Sequence, residues 1–178
     1  MSFEKKNLYW SVENSRLMKK LILIRHGKSS WDLPVIDKER PLANRGIKDA
    51  YLMADKIQPY LPNSFVFWSS TAKRTAETAK IFAQNLKCPD ELIIFKDTLY
   101  TFDEKQLENE IKKCDDRFDN LIIFGHNPAI TDFVNEFGNV YVDNVTTCGF
   151  VSMVFEQSQW SILAKGKVQK IIFPKDFR

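Results

Sequence analysis

LILIRHGKSSW, residues 21–31, runs through four aliphatic positions without a polar break and then presents an arginine, a histidine and a glycine in succession. A strand that is apolar at every position, rather than at every second one, has both faces covered, as in a parallel sheet sandwiched between helices. FVFW at 65–68, LIIF at 92–95 and LIIF at 121–124 share this form. Longer amphipathic stretches separate these runs, which gives a βαβα alternation, and no repeat, low-complexity tract or Gly/Ser linker divides the chain. The expected fold is α/β: a three-layer sandwich with a mostly parallel central sheet and helices on both faces.

NRGIKDAYLMADKIQPYL, residues 44–61, reads as one helix ending near Pro59 and Pro62, and STAKRTAETAKIFAQNL, residues 70–86, as another whose leading hydroxyls can cap its first turn. Pro128 suits the first turn of a helix over AITDFVNEF, residues 129–137, with Gly138 as its stop. Residues 101–119 read as a polar helix with loose edges. FVSMVFE at 150–156 alternates and fits an edge or antiparallel strand, as does QWSILA at 159–164.

With 178 residues, 44% of them hydrophobic and 14 Phe among them, the chain can bury a real core, and one domain over 18–178 is expected. Residues 1–17 have no clear period. Because Met18 directly precedes the first strand, they read either as an extension or as the product of a misassigned start codon, and they lack the apolar centre of a secretory signal. The net charge of +3, from 26 basic and 23 acidic residues, gives no support to a nucleic-acid or membrane partner, and no apolar run approaches the roughly 20 residues that cross a bilayer. Cys88, Cys114 and Cys148 are odd in number and lack CxxC spacing, which argues against a disulfide framework or a zinc site. A cytoplasmic location is expected.

In open parallel sheets ligands collect beyond the carboxyl ends of strands, where helix N-termini offer free N–H groups. The first strand delivers Arg25, His26 and Gly27 there; the second leads through Ser69 and Ser70 to Arg74; LIIF at 121–124 delivers Gly125, His126 and Asn127. The chain has two histidines, and both follow a buried strand directly. Two guanidiniums and two imidazoles around one point, without an acidic cluster for magnesium, describe a site for a tetrahedral dianion, since arginine offers paired donors to phosphate oxygens. A neutral imidazole can then attack phosphorus and split hydrolysis into formation and breakdown of a phosphohistidine. No metal is expected, because arginines beside two histidines repel a divalent cation, and no cofactor is expected; the GxxxxGK[ST] loop of nucleotide triphosphate enzymes is missing.

At these residues the sequence resembles the histidine phosphatase superfamily, the phosphoglycerate mutase-like fold, and within it the SixA-type phosphohistidine phosphatases. LILIRHGKSSW resembles the nucleophile motif, DKERPLANRGIKDA the segment carrying Arg-Pro-Leu, SSTAKRTAETA the second-arginine motif and FGHNPAITDF the second-histidine motif; TTCGFVSMVF also has the look of that branch. The resemblance implies that His26 is the nucleophile, that Arg25 and Arg74 bind phosphate and that His126 donates to its oxygens. Gly27 would let the backbone approach the ligand, Ser29 would lie beside the phosphate, and Asp32 falls where the mutase branch commonly has a phosphate-contacting asparagine; as a loop carboxylate it can equally pair with a nearby Lys or Arg. Asp37 and Arg40 match the branch, and a structural ion pair accounts for them equally well.

No general acid is evident. Asn127 stands where acid-phosphatase branches place an aspartate, and Asp103 and Glu104 lie on a polar helix. An alkoxide needs a proton to leave, whereas a phosphohistidine protonated on its far ring nitrogen releases neutral imidazole of pKa about 6.5. The short loops leave little material for a lid, and an open site admits a protein side chain. The expected substrate is a phosphorylated protein of the histidine-containing phosphotransfer type. The alternatives are a small phosphate ester, with Asp32, Asp103 or Glu104 as acid, and a phosphate-binding module without turnover. Two neighbouring guanidiniums should lower the pKa of His26 and extend activity into acid.

Overall fold

A computed structural model describes residues 18–178 of the chain; the reading of residues 1–17 falls outside them. Six strands and four α-helices follow in the order β1 (Lys19–Arg25), α1 (Asn44–Lys56), β2 (Val66–Ser70), α2 (Lys73–Asn85), β3 (Ile93–Lys96), α3 (Glu104–Ile111), β4 (Asn120–Gly125), α4 (Ala129–Phe137), β5 (Phe150–Phe155) and β6 (Lys167–Ile172). They form one sheet in the order β3-β2-β4-β1-β5-β6. The four strands from β3 to β1 are parallel, while β5 and β6 run antiparallel to their neighbours.

The unbroken apolar runs have the cause the sequence suggests. Side chains alternate between faces along a strand, and in β1 Leu21 and Leu23 join a core with Ile130 and Phe133 of α4 and Leu107 and Ile111 of α3. Ile22 and Ile24 join a second core with Ala50 and Met53 of α1 and Phe82 and Ala83 of α2. The result is a mixed α/β fold with helices covering both sheet faces.

Several expectations need correction. β3 is the outer strand, and Leu92, Ile94 and Phe95 stay exposed, so LIIF at 92–95 is not covered on both faces. QWSILA forms no strand: Trp160 is fully buried in a 3₁₀ turn, its indole N–H donating to Phe118 O (2.7 Å) and its backbone N–H to Asp116 (2.7 Å). The strand beside β5 is the later KVQKII, whose lysines and mostly exposed side chains are what an outer edge tolerates. β5 is accordingly internal, paired with β1 and β6. Finally, helix α2 starts at Lys73 with no side-chain cap, and only Glu104–Ile111 of the 101–119 stretch is α-helical, capped by Asp103 accepting from the Gln106 N–H.

Pro128 and Gly138 do flank α4. Gly138 is not left-handed (φ −86°); a Cβ there would lie 2.5 Å from Val134 O. Crowding is tighter still at Gly46 in the first turn of α1, where a Cβ would overlap the backbone of Lys28. Gly46→Ala should therefore cost about 2 kcal/mol or more. Gly125→Ala, whose Cβ would rest 3.5 Å from Ile130 in ordinary contact, should cost less than about 1 kcal/mol. Chemical denaturation of the two variants checks the contrast.

Candidate active site

β1 and β4 are parallel neighbours in a register that pairs Arg25 with Gly125, so the next residue of each strand is a histidine. The rings of His26 and His126 lie 5.1 Å apart between centroids. β2 flanks β4 on its other side and carries the chain through Ser70 into α2, where Arg74 stands in the first turn. Arg74 is buried and reaches both rings: Nε donates to His26 Nε2 (3.2 Å), and Nη2 lies 3.5 Å from His126 Nδ1.

The tautomer of His26 is fixed by its partners. Its Nδ1 meets the carbonyl of Gly27 at 2.7 Å, and a carbonyl only accepts, so Nδ1 carries the hydrogen. Nε2 is left with its lone pair toward Arg74. Gly27 itself is clamped, since its N–H donates to Thr78 Oγ1 (3.0 Å), whose hydroxyl donates to the carbonyl of Arg74 (2.7 Å). A Cβ on Gly27 would come within 3.0 Å of Gly46 O and Leu42. On the other ring, His126 Nε2 hydrogen-bonds with Ser70 Oγ (2.8 Å) and lies 3.4 Å from Thr75 Oγ1. Tyr100 and Phe102 pack around His126 with centroids 5.3 and 5.4 Å away.

Arg25 is held from the opposite side. Its Nη1 donates to Val145 O (2.9 Å) and Asn144 Oδ1 (3.2 Å), and the Asn127 amide donates to the same two acceptors. Its Nε is buried without a protein partner. Cys148, at φ 57°, turns its N–H onto the carbonyls of Arg25 (3.0 Å) and His26 (3.2 Å), which closes the end of β1.

The candidate acids and loop residues divide sharply. Asp32 is exposed, and its carboxylate accepts from Ser30 (2.8 Å) in a local turn instead of pairing with a Lys or Arg. Asp103 is spent as the cap of α3, and the charges acting on half-buried Glu104 are Lys105, Glu108 and Glu136. Ser29 is buried, its hydroxyl accepting from Arg40 Nη2 (2.6 Å). Asp37 is the carboxylate that reaches the cluster. It takes Arg74 Nη2 (2.9 Å) and the Tyr100 hydroxyl (2.7 Å) on Oδ2 and Arg40 Nη1 (3.1 Å) on Oδ1, while its backbone carbonyl takes Arg74 Nη1 (2.6 Å). The ion pair with Arg40 was expected; the one with Arg74, across 37 residues, was not. Thr75 and Thr78 of α2 are fully buried and carry their hydroxyls to His126 (3.4 Å) and the Gly27 N–H (3.0 Å).

Burial is the main cause that pushes His26 down to about 3, with Arg74 and Arg25 adding to it against the Gly27 hydrogen bond and Asp37. His126 is pushed down to about 2, again first by burial and then by His26 and Arg74. The guanidiniums thus act in the expected direction but in second place. For Asp37 burial opposes ionisation, yet the hydrogen bonds from Tyr100, Arg74 and Arg40 win and hold it at about 2. No cluster of three or more His, Cys, Asp or Glu suited to a metal ion exists among the described residues, and none of their helices is long and apolar enough to cross a membrane.

Residues 21–120 match the family model of the histidine phosphatase superfamily (branch 1). The chain belongs to that superfamily. An uncharacterized Mycobacterium tuberculosis protein is 29% identical over 106 residues, which cover 60% of this chain and 64% of that relative's length. Two solved structures share the fold. A Nakamurella multipartitia protein proposed to be the phosphohistidine phosphatase SixA aligns with a TM-score of 0.76 at 20% identity, over 88% of this chain and 96% of its own. The protein histidine phosphatase SixA complexed with tungstate aligns with a TM-score of 0.74 at 18% identity, over 89% and 99%. At these identities the likeness concerns the fold.

Both rings have folded pKa values below the 6.5 of a free imidazole, so between about 3 and 6.5 the unfolded chain binds more protons than the folded one. Stability should therefore fall as pH drops through that window, and Asp37 adds to the loss only below its ordinary 3.8. Thermal unfolding between pH 7 and 4 should show this decline, and His126→Asn should flatten it; an unchanged slope in the variant would contradict the assignment.

Proposed function

We propose that the chain is a phosphatase that hydrolyses phosphohistidine on a protein, through a covalent phosphohistidine on His26 and without a metal. The observation that carries this reading is the pairing of an unprotonated His26 Nε2 with a cluster whose one hydrogen-bonded carboxylate, Asp37, is held ionised. Such a site has a nucleophile and anion donors but no carboxylic acid ready to protonate an alkoxide.

In the first step the Arg74 Nε–H turns from His26 Nε2 to a phosphoryl oxygen, the freed Nε2 lone pair attacks phosphorus, the N–P bond of the substrate breaks, and the departing imidazole keeps that electron pair together with the hydrogen on its far nitrogen. Arg25 and Arg74 bind the equatorial oxygens, as guanidinium forks do for a transferring phosphoryl group. Ser70 already accepts from the Ala72 N–H (3.2 Å), so its own hydroxyl proton is available to His126 Nε2, which leaves His126 Nδ1 to donate to a phosphoryl oxygen. Phosphorylated His26 has its far N–H on Gly27 O, the state from which neutral imidazole departs. Attack by water then breaks the N–P bond, returns the electron pair to Nε2 and releases dihydrogen phosphate, with every proton accounted for.

A macromolecular substrate is supported by the surroundings. The 31–36 stretch leading to Asp37 exposes Trp31, Leu33, Val35 and Ile36, with Trp31 stacked 3.1 Å from the Arg40 guanidinium. An apolar rim of this kind suits a docked protein surface better than a small ester.

The test offers the enzyme a histidine-containing phosphotransfer protein phosphorylated on its histidine, beside small phosphomonoesters. Phosphohistidine should be the preferred substrate, and His26 should carry label in rapidly quenched samples. His26→Ala should abolish label and turnover, and Arg74→Ala should lower kcat/KM about 10²-fold or more. A strong preference for esters rejects the substrate, and a folded protein that no phosphodonor labels is a phosphate binder.

A further inference from the structure

Transfer of a phosphoryl group from one histidine to another is chemically symmetric. Each ring, while it carries phosphorus on one nitrogen, holds a hydrogen on the other, and that N–H gains acidity as the ring becomes cationic. The enzyme's ring has a dedicated acceptor for this hydrogen, the Gly27 carbonyl at 2.7 Å from His26 Nδ1. The substrate's ring arrives with the same requirement for an acceptor.

The mouth of the site contains one. Asp37 begins the 3₁₀ turn Asp37–Glu39, and its carboxylate is fixed by Arg74, Arg40 and Tyr100. Two carboxylate oxygens offer about four lone-pair positions, and these bonds occupy three. The side chain is 44% exposed, so the remaining capacity is open to an incoming group. Arg74 joins it directly to the reacting centre: Nη2 holds Asp37 at 2.9 Å while Nε holds the attacking nitrogen of His26 at 3.2 Å. A carboxylate kept ionised by three donors cannot give up a proton, but it can receive a hydrogen bond.

Resting on the phosphohistidine reading above, we propose that Asp37 is the specificity-determining residue that accepts the far N–H of the substrate imidazole during transfer, as Gly27 O does for His26. No proton moves in this contact. The N–P bond of the substrate breaks, the leaving nitrogen keeps the electron pair, and the far N–H remains on the ring, hydrogen-bonded to the carboxylate from the bound state to the departing neutral imidazole. An ester has no ring N–H to offer and gains nothing from Asp37 beyond the anchoring of Arg74. The residue therefore discriminates between two substrates that share the same phosphate.

The experiment compares kcat/KM for a phosphorylated histidine-containing phosphotransfer protein with that for p-nitrophenyl phosphate, whose leaving group departs without a proton. Asp37→Asn should slow both by loosening Arg74, but its ratio of phosphohistidine to ester activity should fall about tenfold, because the charge is lost and one acceptor oxygen is replaced by an NH2 donor that cannot receive the ring N–H. Tyr100→Phe, which disturbs the same anchorage while keeping the carboxylate, should hold that ratio at the wild-type value or above. Equal losses on both substrates in Asp37→Asn would overturn the proposal and leave the phosphohistidine reading standing. A wild-type enzyme inactive on phosphohistidine would overturn both.

Discussion

The Arg74 guanidinium reaches both histidines and Asp37. It is buried and hydrogen-bonded to His26 through Nε, close to His126 through Nη2 and held to Asp37 by a backbone carbonyl and a carboxylate. Burying a guanidinium is costly unless its donors are satisfied, and here the partners that satisfy it are His26 and Asp37. The geometry follows from that requirement: the start of α2 places the fork, and the residue after β1 and the 3₁₀ turn at Asp37 bring acceptors to it. Thr78 extends the same logic one step outward, linking the Gly27 amide to the Arg74 carbonyl.

Placing two imidazoles beside two guanidiniums would be expensive if the rings were charged. Burial comes first in keeping them neutral, and Arg74 and Arg25 press in the same direction. Asp37 works against both by stabilising positive charge at the rings, yet it is the group that compensates Arg74. The arrangement is a balance in which the carboxylate lowers the local positive field enough to let a cation be buried, while the rings remain free to accept or donate as neutral groups.

Much of this was legible in the sequence, for identifiable reasons. Leu21 to Ile24 and Leu121 to Phe124 are apolar at every position because each sheet face packs on helices, and a strand with one wet face would have alternated. The histidines and Arg74 were legible because strand ends in a parallel sheet converge. β6 was hidden because an edge strand rich in lysine carries no apolar period, while the buried Trp160 drew attention to the wrong segment. In the site, Ser70 and Thr71 read as helix caps, yet Ser70 supports His126 and Thr71 holds Asp97. Asp37 read as a partner of Arg40 three residues away, since local pairs are visible in sequence and a contact across 37 residues through a loop is not.

That loop shows how an exposed segment can hold a site residue firmly. At its base, Ser29 bridges Leu42, the Ser30 N–H donates to Pro41 O (2.8 Å), the Ala43 N–H donates to Lys28 O (2.8 Å), and the Leu42 N–H reaches the Glu77 carboxylate on α2 (2.7 Å). Arg40 adds bonds to the Ser29 hydroxyl and the Ser30 carbonyl (3.1 Å) from inside the loop. Asp37 is tied to Arg40 and Arg74, so its position is set by the base and by α2 and not by the exposed tip at 31–36. The tip touches this framework through Trp31, stacked on the Arg40 guanidinium, while Leu33, Val35 and Ile36 stay exposed. For the phosphoryl transfer proposed above, this means that the carboxylate is in place before a substrate arrives, as electrostatic preorganisation favours.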